Sequence, residues 1–350
     1  MRDPAEDLRA IAFGLEKALE PTYRVQAFRK AAKLVDGIDR VELERRMTEG
    51  TLGELPGIGK VTALVISESL QGEEPNYLRR VLDQGEVPRD EGARALRAAL
   101  KGDCHVHSDW SDGGSPIDEM ARAARDLGHE YMVLTDHSPN LKVARGLTPT
   151  RLREQLQVVA RLNEDFADQA ASGDTQPFRI LTGIEVDILE DGTLDQEPSL
   201  LAQLDLVVGS VHSKLRSPSK EMTPRMVAAI SNPHLDVLGH CTGRMVKGPR
   251  GRPESEFEAD LVFAACAQFD VAVEVNARPE RQDPPKRLIR MALEAGCRFS
   301  IDTDAHAPGQ LAWQIDGCER AFLSGVTADR VINTQSADDL LAWTAQRHSK

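Results

Sequence analysis

The chain has 350 residues, 41% of them hydrophobic and only 4% aromatic, with a formal net charge of −13. That is enough apolar material for a full core and enough length for about two domains. The charge argues against broad non-specific binding to nucleic acid or acidic lipid, and so few aromatics exclude stacking on many bases as the main strategy.

The acid is unevenly spread. Residues 1–100 hold 16 Lys/Arg against 18 Asp/Glu, a net of −2, so residues 101–350 carry the remaining −11. The first part is better suited to touching a polyanion and the second to holding cations. The cysteines (Cys104, Cys241, Cys266, Cys297 and Cys318) are odd in number and show no C-x-x-C spacing, which indicates neither a disulfide framework nor a zinc ribbon. No signal peptide opens the sequence and no apolar run approaches the roughly 20 residues of a membrane span. The expectation is a cytoplasmic protein with no membrane partner.

In chain order, residues 4–48 predict helices, because apolar positions recur at three and four, with Pro21 separating the first two. The stretch TLGELPGIGKVTALVISESL (51–70) predicts a helix, a tight turn at Pro56–Gly59 and a second helix. Residues 75–100 predict a short helix and a charged helical linker. The resulting division is an all-α domain over 1–82, a linker over 83–101 and a larger domain over 102–350.

From 103 onward short β-rich runs alternate with amphipathic stretches. Seven strands are expected, at 103–108, 131–138, 179–188, 204–213, 235–240, 271–277 and 298–306. Such alternation predicts an α/β fold with a parallel sheet, either open or closed into a barrel.

The polar residues cluster at the ends of those strands. His105 and His107 lie near the end of the first, Asp112 just after it, and His137 near the end of the second. Glu185 is late in the third, His212 and His240 end the fourth and fifth, and Asp304 and His306 end the seventh. In a parallel barrel all strand C-termini share one rim, so these residues converge. Both imidazoles of H-x-H face one side of a strand, since side chains alternate with period two, and D-x-H does the same. A lone histidine at a strand end is usually a hydrogen-bonded structural residue. Six of the nine histidines in this one position argue instead for metal. Nine nitrogen and oxygen donors exceed one tetrahedral zinc and suit two to three divalent ions, with zinc, manganese or iron all accepting them. His129, His234 and His348 read as structural or surface residues. Arg244 and Arg278, just after strands five and six, are candidates for a phosphate clamp or for rim salt bridges, and Asn276 for orienting a ligand or satisfying its loop.

The motifs HVHSDWSDG, LTDHS, GIEVDI, GSVHS, LGHCTGR, EVNARPERQD and IDTDAH resemble, in order, those of the PHP (polymerase and histidinol phosphatase) domain over roughly 103–345. The resemblance implies a distorted seven-stranded β/α barrel with a trinuclear site that hydrolyses phosphate esters. By analogy one ion takes His105, His107, Glu185 and Asp304. A second takes His212 and His240 with Glu185 bridging, and a third takes Asp112, His137 and His306. Amidohydrolase barrels share H-x-H, but the Glu185 position and the terminal D-x-H fit the PHP pattern better.

In the first domain, LPGIG (55–59) with Lys60 and an apolar helix is a helix-hairpin-helix signature. Gly57 and Gly59 permit a turn whose N–H groups meet a DNA phosphate at the helix end. Arg24, Arg29, Lys30 and Lys33 offer a basic stripe nearby; the alternative is an ordinary glycine turn beside a solvated charged face. Residues 4–82 also resemble the small N-terminal domain of family X DNA polymerases, in YRVQAFRKAA and LPGIGK. Bacterial members place a palm and thumb before their PHP domain. Here only about twenty residues intervene, so polymerisation is not expected, and Val65 stands where lyase-active members carry a Schiff-base lysine.

Three functions follow as expectations: a metal-dependent phosphoesterase acting on DNA ends (a 3′–5′ exonuclease or 3′-end phosphatase, with a DNA repair polymerase as a partner to consider), a small-molecule phosphatase such as histidinol-phosphatase, or a non-catalytic DNA-binding scaffold.

Overall fold

The computed structural model describes residues 2–83, 89–173, 175–248 and 251–349. The chain divides into two compact units, Met1–Pro88 and Arg89–Lys350.

The first unit is all-α: α1 (Pro4–Lys17), α2 (Thr22–Asp36), α3 (Arg40–Glu49), α4 (Lys60–Leu70) and α5 (Asn76–Leu82). Asp3 starts α1 by accepting from the Ala5 N–H, with a proline at the first helical position. Gly50, at φ 72°, ends α3 in the left-handed region. Leu8, Ile11 and Leu15 of α1 and Val25, Phe28 and Val35 of α2 carry the helical period and meet Ile58, Val65 and Ile66 in one buried cluster.

The second unit opens with α6 (Glu91–Ala99), β1 (Gly102–Val106), α7 (Ile117–Asp126), β2 (Tyr131–Leu134), α8 (Pro149–Ala171) and β3 (Arg179–Asp187). It continues through α9 (Pro198–Leu201), β4 (Leu206–Ser210), α10 (Ser219–Ile230), β5 (Val237–Leu238), α11 (Ala259–Phe269) and β6 (Ala272–Asn276). The last elements are α12 (Lys286–Glu294), β7 (Phe299–Asp302), α13 (Gln314–Phe322) and α14 (Ala337–His348). Within the stretch expected as a linker, 84–88 lies outside the described residues. Beyond it α6 buries Ala93 and Leu96.

All seven expected strands form, in the order β1 to β7, each parallel to the next. The sheet curls into a nearly closed, distorted barrel. At the seam the end of β1 meets the segment after β7 through a bridge at Val106 and Ala305, with the His107 N–H donating to the Ala305 carbonyl at 2.9 Å. Side chains bridge the rest: Asp302 Oδ1 accepts the Cys104 N–H at 2.8 Å and Asp103 Oδ1 the Thr303 N–H at 3.3 Å. Asn333 Nδ2 donates to the carbonyls of Gly102 and Ile301, and Gln314 Nε2 donates to the same pair, so each amide bridges both edges. Edge groups that lack a ladder partner are thereby satisfied.

Period two divides every strand. Val133, Leu181, Leu206, Val208, Val237 and Ala272 face inward and, with Tyr131, pack on Leu340 and Trp343 of α14, which plugs the base of the barrel. Met132, Ile180, Ile184, Val207, Leu238, Val273, Phe299 and Ile301 face the surrounding helices. The ladders stop short of the expected strand ends: β2 ends at Leu134 and β7 at Asp302, so His137, Asp304 and His306 lie beyond them. Single parallel bridges, His137 to Glu185 and Ala305 to Val106, still hold those tails at the rim.

Candidate metal centre

Glu185, the third inward residue of β3 after Leu181 and Gly183, is fully buried at the middle of the rim. Its Oε2 lies 2.8 Å from His137 Nδ1, 3.3 Å from His105 Nε2 and 3.6 Å from His107 Nε2. Its Oε1 lies 2.9 Å from His240 Nε2 and 3.3 Å from His212 Nε2. Asp304 Oδ1 is 3.4 Å from His107 Nε2 and 4.0 Å from His105 Nε2. Asp112 Oδ1 is 3.3 Å from His306 Nε2 and 3.5 Å from His137 Nε2. All nine residues expected as ligands thus sit together.

Donor atoms of eight of them fall into three overlapping groups: His105, His107 and Asp304; His107, Asp112, His137 and His306; and His137, Glu185 and His212; His240 belongs to none of the three. His107 and His137 each belong to two groups, whereas the expected partition gave each to one. His137 turns one ring nitrogen to Asp112 and the other to Glu185.

Divalent cations fit this arrangement on the state of its atoms. His105 Nε2, both ring nitrogens of His107 and His212, His137 Nδ1, His240 Nδ1 and Glu185 Oε2 are buried without a hydrogen-bond partner. Buried polar groups are normally paired, and so many orphaned lone pairs facing one another match the needs of metal ions. Asp304 also holds a φ of 53°, a region costly for a residue with a Cβ, at a candidate ligand.

Three supporting groups were not read from the sequence. Glu274 Oε1 accepts from His105 Nδ1 at 2.6 Å, while its Oε2 accepts the His240 backbone N–H. One carboxylate therefore fixes two ligand-bearing segments and leaves His105 Nε2 as a lone pair. Asp187 Oδ1 accepts the His212 N–H at 3.1 Å and lies 3.5 Å from its Nδ1. Arg281 brings Nε to 3.1 Å from Asp304 Oδ2. Inward spacing was the available signal for two of them: Glu274 stands two residues before Asn276, and Asp187 two after Glu185. Asn276 makes contacts of both kinds weighed for it: its Nδ2 donates to Asp304 Oδ2 at 3.2 Å, and its Oδ1 accepts the Arg278 N–H of its loop at 3.1 Å.

The two clamp candidates are engaged elsewhere. Arg244 donates to the carbonyls of Arg281 and Gln282 and pairs with Glu254 at 3.3 Å, which holds a loop. Arg278 donates to the Asp304 carbonyl at 3.2 Å, faces His306 Nδ1, and lies over Trp313. The salt-bridge reading suits Arg244, and Arg278 braces the last ligand segment. His129, expected to be structural, is buried beside Arg97; burial and that charge push its imidazole down to about 3.

In the first unit, Gly57 takes φ 88° and Gly59 caps α4, its N–H donating to Thr62 Oγ1 at 2.9 Å. Lys60 opens α4 and is exposed, as are Lys30 and Lys33 on α2. The basic stripe is only partly open. Arg29 pairs through Nη2 with buried Glu16 at 2.7 Å, and Arg24 pairs with Glu20 and donates to Tyr77 Oη at 2.7 Å.

The electrostatics give a pH prediction. Burial disfavours a charged His212, but Glu185 and Asp187 outweigh it and raise the imidazolium to about 9 from an ordinary 6.5. This contribution stabilises the metal-free fold fully below pH 6.5 and fades as pH rises through about 9. An incoming cation must displace that proton, and one from His105 too, which Glu274 and Glu185 hold well above the ordinary imidazole range despite burial, so affinity is expected to climb with pH and binding near pH 7.5 to release protons. Calorimetry in buffers of different ionisation enthalpy reads the protons directly; a pH-independent affinity would contradict the assignment.

No helix among the described residues is long and apolar enough to cross a membrane. A family model described as the PHP domain matches residues 103–278. The chain is 38% identical over 244 residues to the DNA polymerase/3′-5′ exonuclease PolX of Bacillus subtilis, a match covering 70% of this chain and 41% of that protein. It is 27% identical over 243 residues to a probable phosphatase of Thermoanaerobacter sp., covering 66% of this chain and 89% of the relative. A histidinol phosphate phosphatase from Lactococcus lactis, solved with zinc, L-histidinol and phosphate, superposes with a TM-score of 0.48 at 17% identity, over 65% of this chain and 95% of that one. The family match spans half of the sequence and takes in seven of the nine converging residues, and the chain belongs to the PHP domain family.

Proposed function

We propose that this metal-dependent phosphoesterase acts on DNA ends, as a 3′–5′ exonuclease or 3′-end phosphatase, with a trinuclear centre in the barrel rim and the first unit holding the DNA backbone. The observation that carries the hydrolytic reading is the set of nine donors around Glu185, most of them orphaned. DNA as the substrate is supported by the glycine turn at the N-terminus of α4 with exposed Lys60, and by the similarity to a protein named as a DNA polymerase and exonuclease. That match leaves most of the relative's length uncovered, so its polymerase activity is not carried over.

Bound dications supply an activated water and neutralise charge on the phosphoryl and leaving oxygens. The chain's own residues set the geometry. Glu185 presents both oxygens to five imidazoles, Glu274 fixes the ring of His105, Asp187 holds the backbone N–H of His212, and Asn276 holds Asp304. Segments from six strands meet at one point, so the centre is preorganised by the barrel rather than by one loop. At the other unit, the first N–H groups of α4 and Lys60 offer a sequence-independent contact to phosphate.

A second reading, a small-molecule phosphatase, is favoured by the −11 carried by residues 101–350, which repels a long polyanion until cations are bound. Hydrolysis by the manganese-loaded protein separates the two, with 3′-recessed DNA, single-stranded DNA and histidinol phosphate as substrates and His105→Ala as control. Nucleotide or phosphate release from DNA, abolished in the variant, is the expected result. Turnover of histidinol phosphate alone would favour the second reading, and no turnover with manganese or zinc would leave a scaffold. Lys60→Glu is expected to weaken DNA binding and flatten its salt dependence.

A further inference from the structure

We propose that the loops after β4 and β5 form a cationic track that leads a nucleic acid strand away from the metal centre, with Lys214, Arg216 and Lys247 on its phosphates. The assignment rests on the DNA-end reading above and deepens it. Residues 101–350 carry −11, yet the charge of the rim is not uniform. Residues 211–220 hold Lys214, Arg216 and Lys220, and residues 239–252 hold Lys247 and three arginines, with no Asp or Glu in either stretch. Residues 188–197 hold Glu190, Asp191, Asp195 and Glu197 and no Lys or Arg. β4 lies between β3 and β5 and is parallel to both, so the three loops leave one rim side by side. The acid stands on the β3 side and the base on the β4–β5 side. Lys214 and Arg216 follow the candidate ligand His212 by two and four residues, which keeps them within about 7 and 14 Å of it by chain reach alone.

Local packing joins the two basic loops into one surface. The Ser217 N–H donates to the Lys214 carbonyl at 2.9 Å, closing a turn over 214–217. Leu215 of that turn fills the space beside Gly243, where an added Cβ would lie 2.7 Å from Leu215 Cδ2. The Leu215 carbonyl accepts from Ser255 Oγ at 2.8 Å, and the Ser213 carbonyl from Arg225 Nη1 at 2.9 Å. Lys214 and Arg216 flank Leu215 and are exposed. Lys214 also takes φ 54°, costly for a residue with a Cβ and placed next to a candidate ligand segment. On the β5 side, Met245 and Arg252 pair as an antiparallel bridge at 2.9 and 3.0 Å, and exposed Lys247 comes two residues after Met245. Arg244 and Arg252 are committed to carbonyls within these loops, whereas Lys214, Arg216 and Lys247 pair with no carboxylate among the described residues. Dications at the centre already neutralise the phosphoryl group under attack. Further cations in line with it act only on a substrate that carries further phosphates, which is a strand. Such contacts set its path without reading bases.

The test uses the full chain loaded with manganese, the combined variant Lys214→Glu, Arg216→Glu and Lys247→Glu, and the same three positions changed to Gln. Affinity is measured across salt for a short single-stranded oligonucleotide whose 3′-terminal linkage is a methylphosphonate, which resists cleavage. KM and kcat are read on single-stranded DNA and kcat on bis(p-nitrophenyl) phosphate. The first unit is the same in every protein, so differences belong to the rim. In the glutamate variant affinity is expected to fall about 10–100-fold near 0.1 M salt, and the salt slope to become shallower by about 2, at roughly 0.7 for each lost contact. The glutamine variant should lose the same slope with a smaller loss of affinity. KM for DNA should rise while kcat on the small diester holds. Unchanged affinity and slope would overturn the track, and cleavage of DNA with unchanged KM would do so while leaving the DNA-end reading in place. Turnover of the small diester falling in step with that of DNA would also overturn it, by showing damage to the centre. Displacement of the oligonucleotide by polyglutamate of equal charge would replace the strand with an acidic polypeptide. If the unmodified protein binds the oligonucleotide through these residues but cleaves only the small diester, the DNA-end reading fails and the track stands.

Discussion

Glu185→Gln is expected to abolish hydrolysis, lowering turnover by about 10³-fold or more, and to reduce the bound metal. The substitution keeps the volume of a fully buried side chain and removes its charge. Five imidazoles face this one carboxylate at 2.8–3.6 Å, and three of them, led by His105, hold it well below the usual carboxylate range despite burial. An amide at this point offers N–H donors where cations need lone pairs. Metal ions contribute several kcal/mol to such reactions, and about 1.4 kcal/mol corresponds to a tenfold change. Turnover with bound metal measured on the same sample checks it; a variant retaining a tenth of the activity would remove Glu185 from the centre.

At the opposite end of the barrel, Asp236→Ala is expected to cost about 3–5 kcal/mol of stability, because it leaves a buried charge without its partner. Asp236 accepts the Val207 N–H at 2.9 Å and pairs with Arg347, which is 3% exposed, while His348 lies 3.3 Å away. It joins α14, the plug of the barrel, to the entry of β5, a strand only two residues long. At roughly 2–4 °C per kcal/mol for a domain of this size, Tm should fall by about 6–20 °C. Converting Asp236 and Arg347 together to leucine should recover much of the loss, since no orphaned charge then remains. A shift under about 2 °C in the single variant would show that the pair contributes little.

The nine candidate ligands were legible because their chemistry is local. Histidines and carboxylates spaced by two at strand ends announce a shared rim whatever the exact closure of the barrel. The arginines were not legible in the same way. Arg244, Arg278 and Arg281 lie in similar loop sequence, and only the packed structure shows that the first two are committed to carbonyls and ring faces while the third keeps donors unpaired. Glu274 is a related case. Its inward position follows from period two, but its contacts with His105 and with the His240 backbone depend on where β1 and the end of β5 fall around the barrel.

The sequence by itself determined the seven strands and singled out the nine candidate metal donors, since periodicity and residue chemistry act over a few neighbours. Tertiary structure alone decided how the barrel closes, with Asn333 and Gln314 in place of a ladder at the β1–β7 seam. It also decided which imidazoles are shared between donor groups. Those outcomes depend on the distances between segments remote in the chain, which closure of the barrel sets and no local pattern encodes.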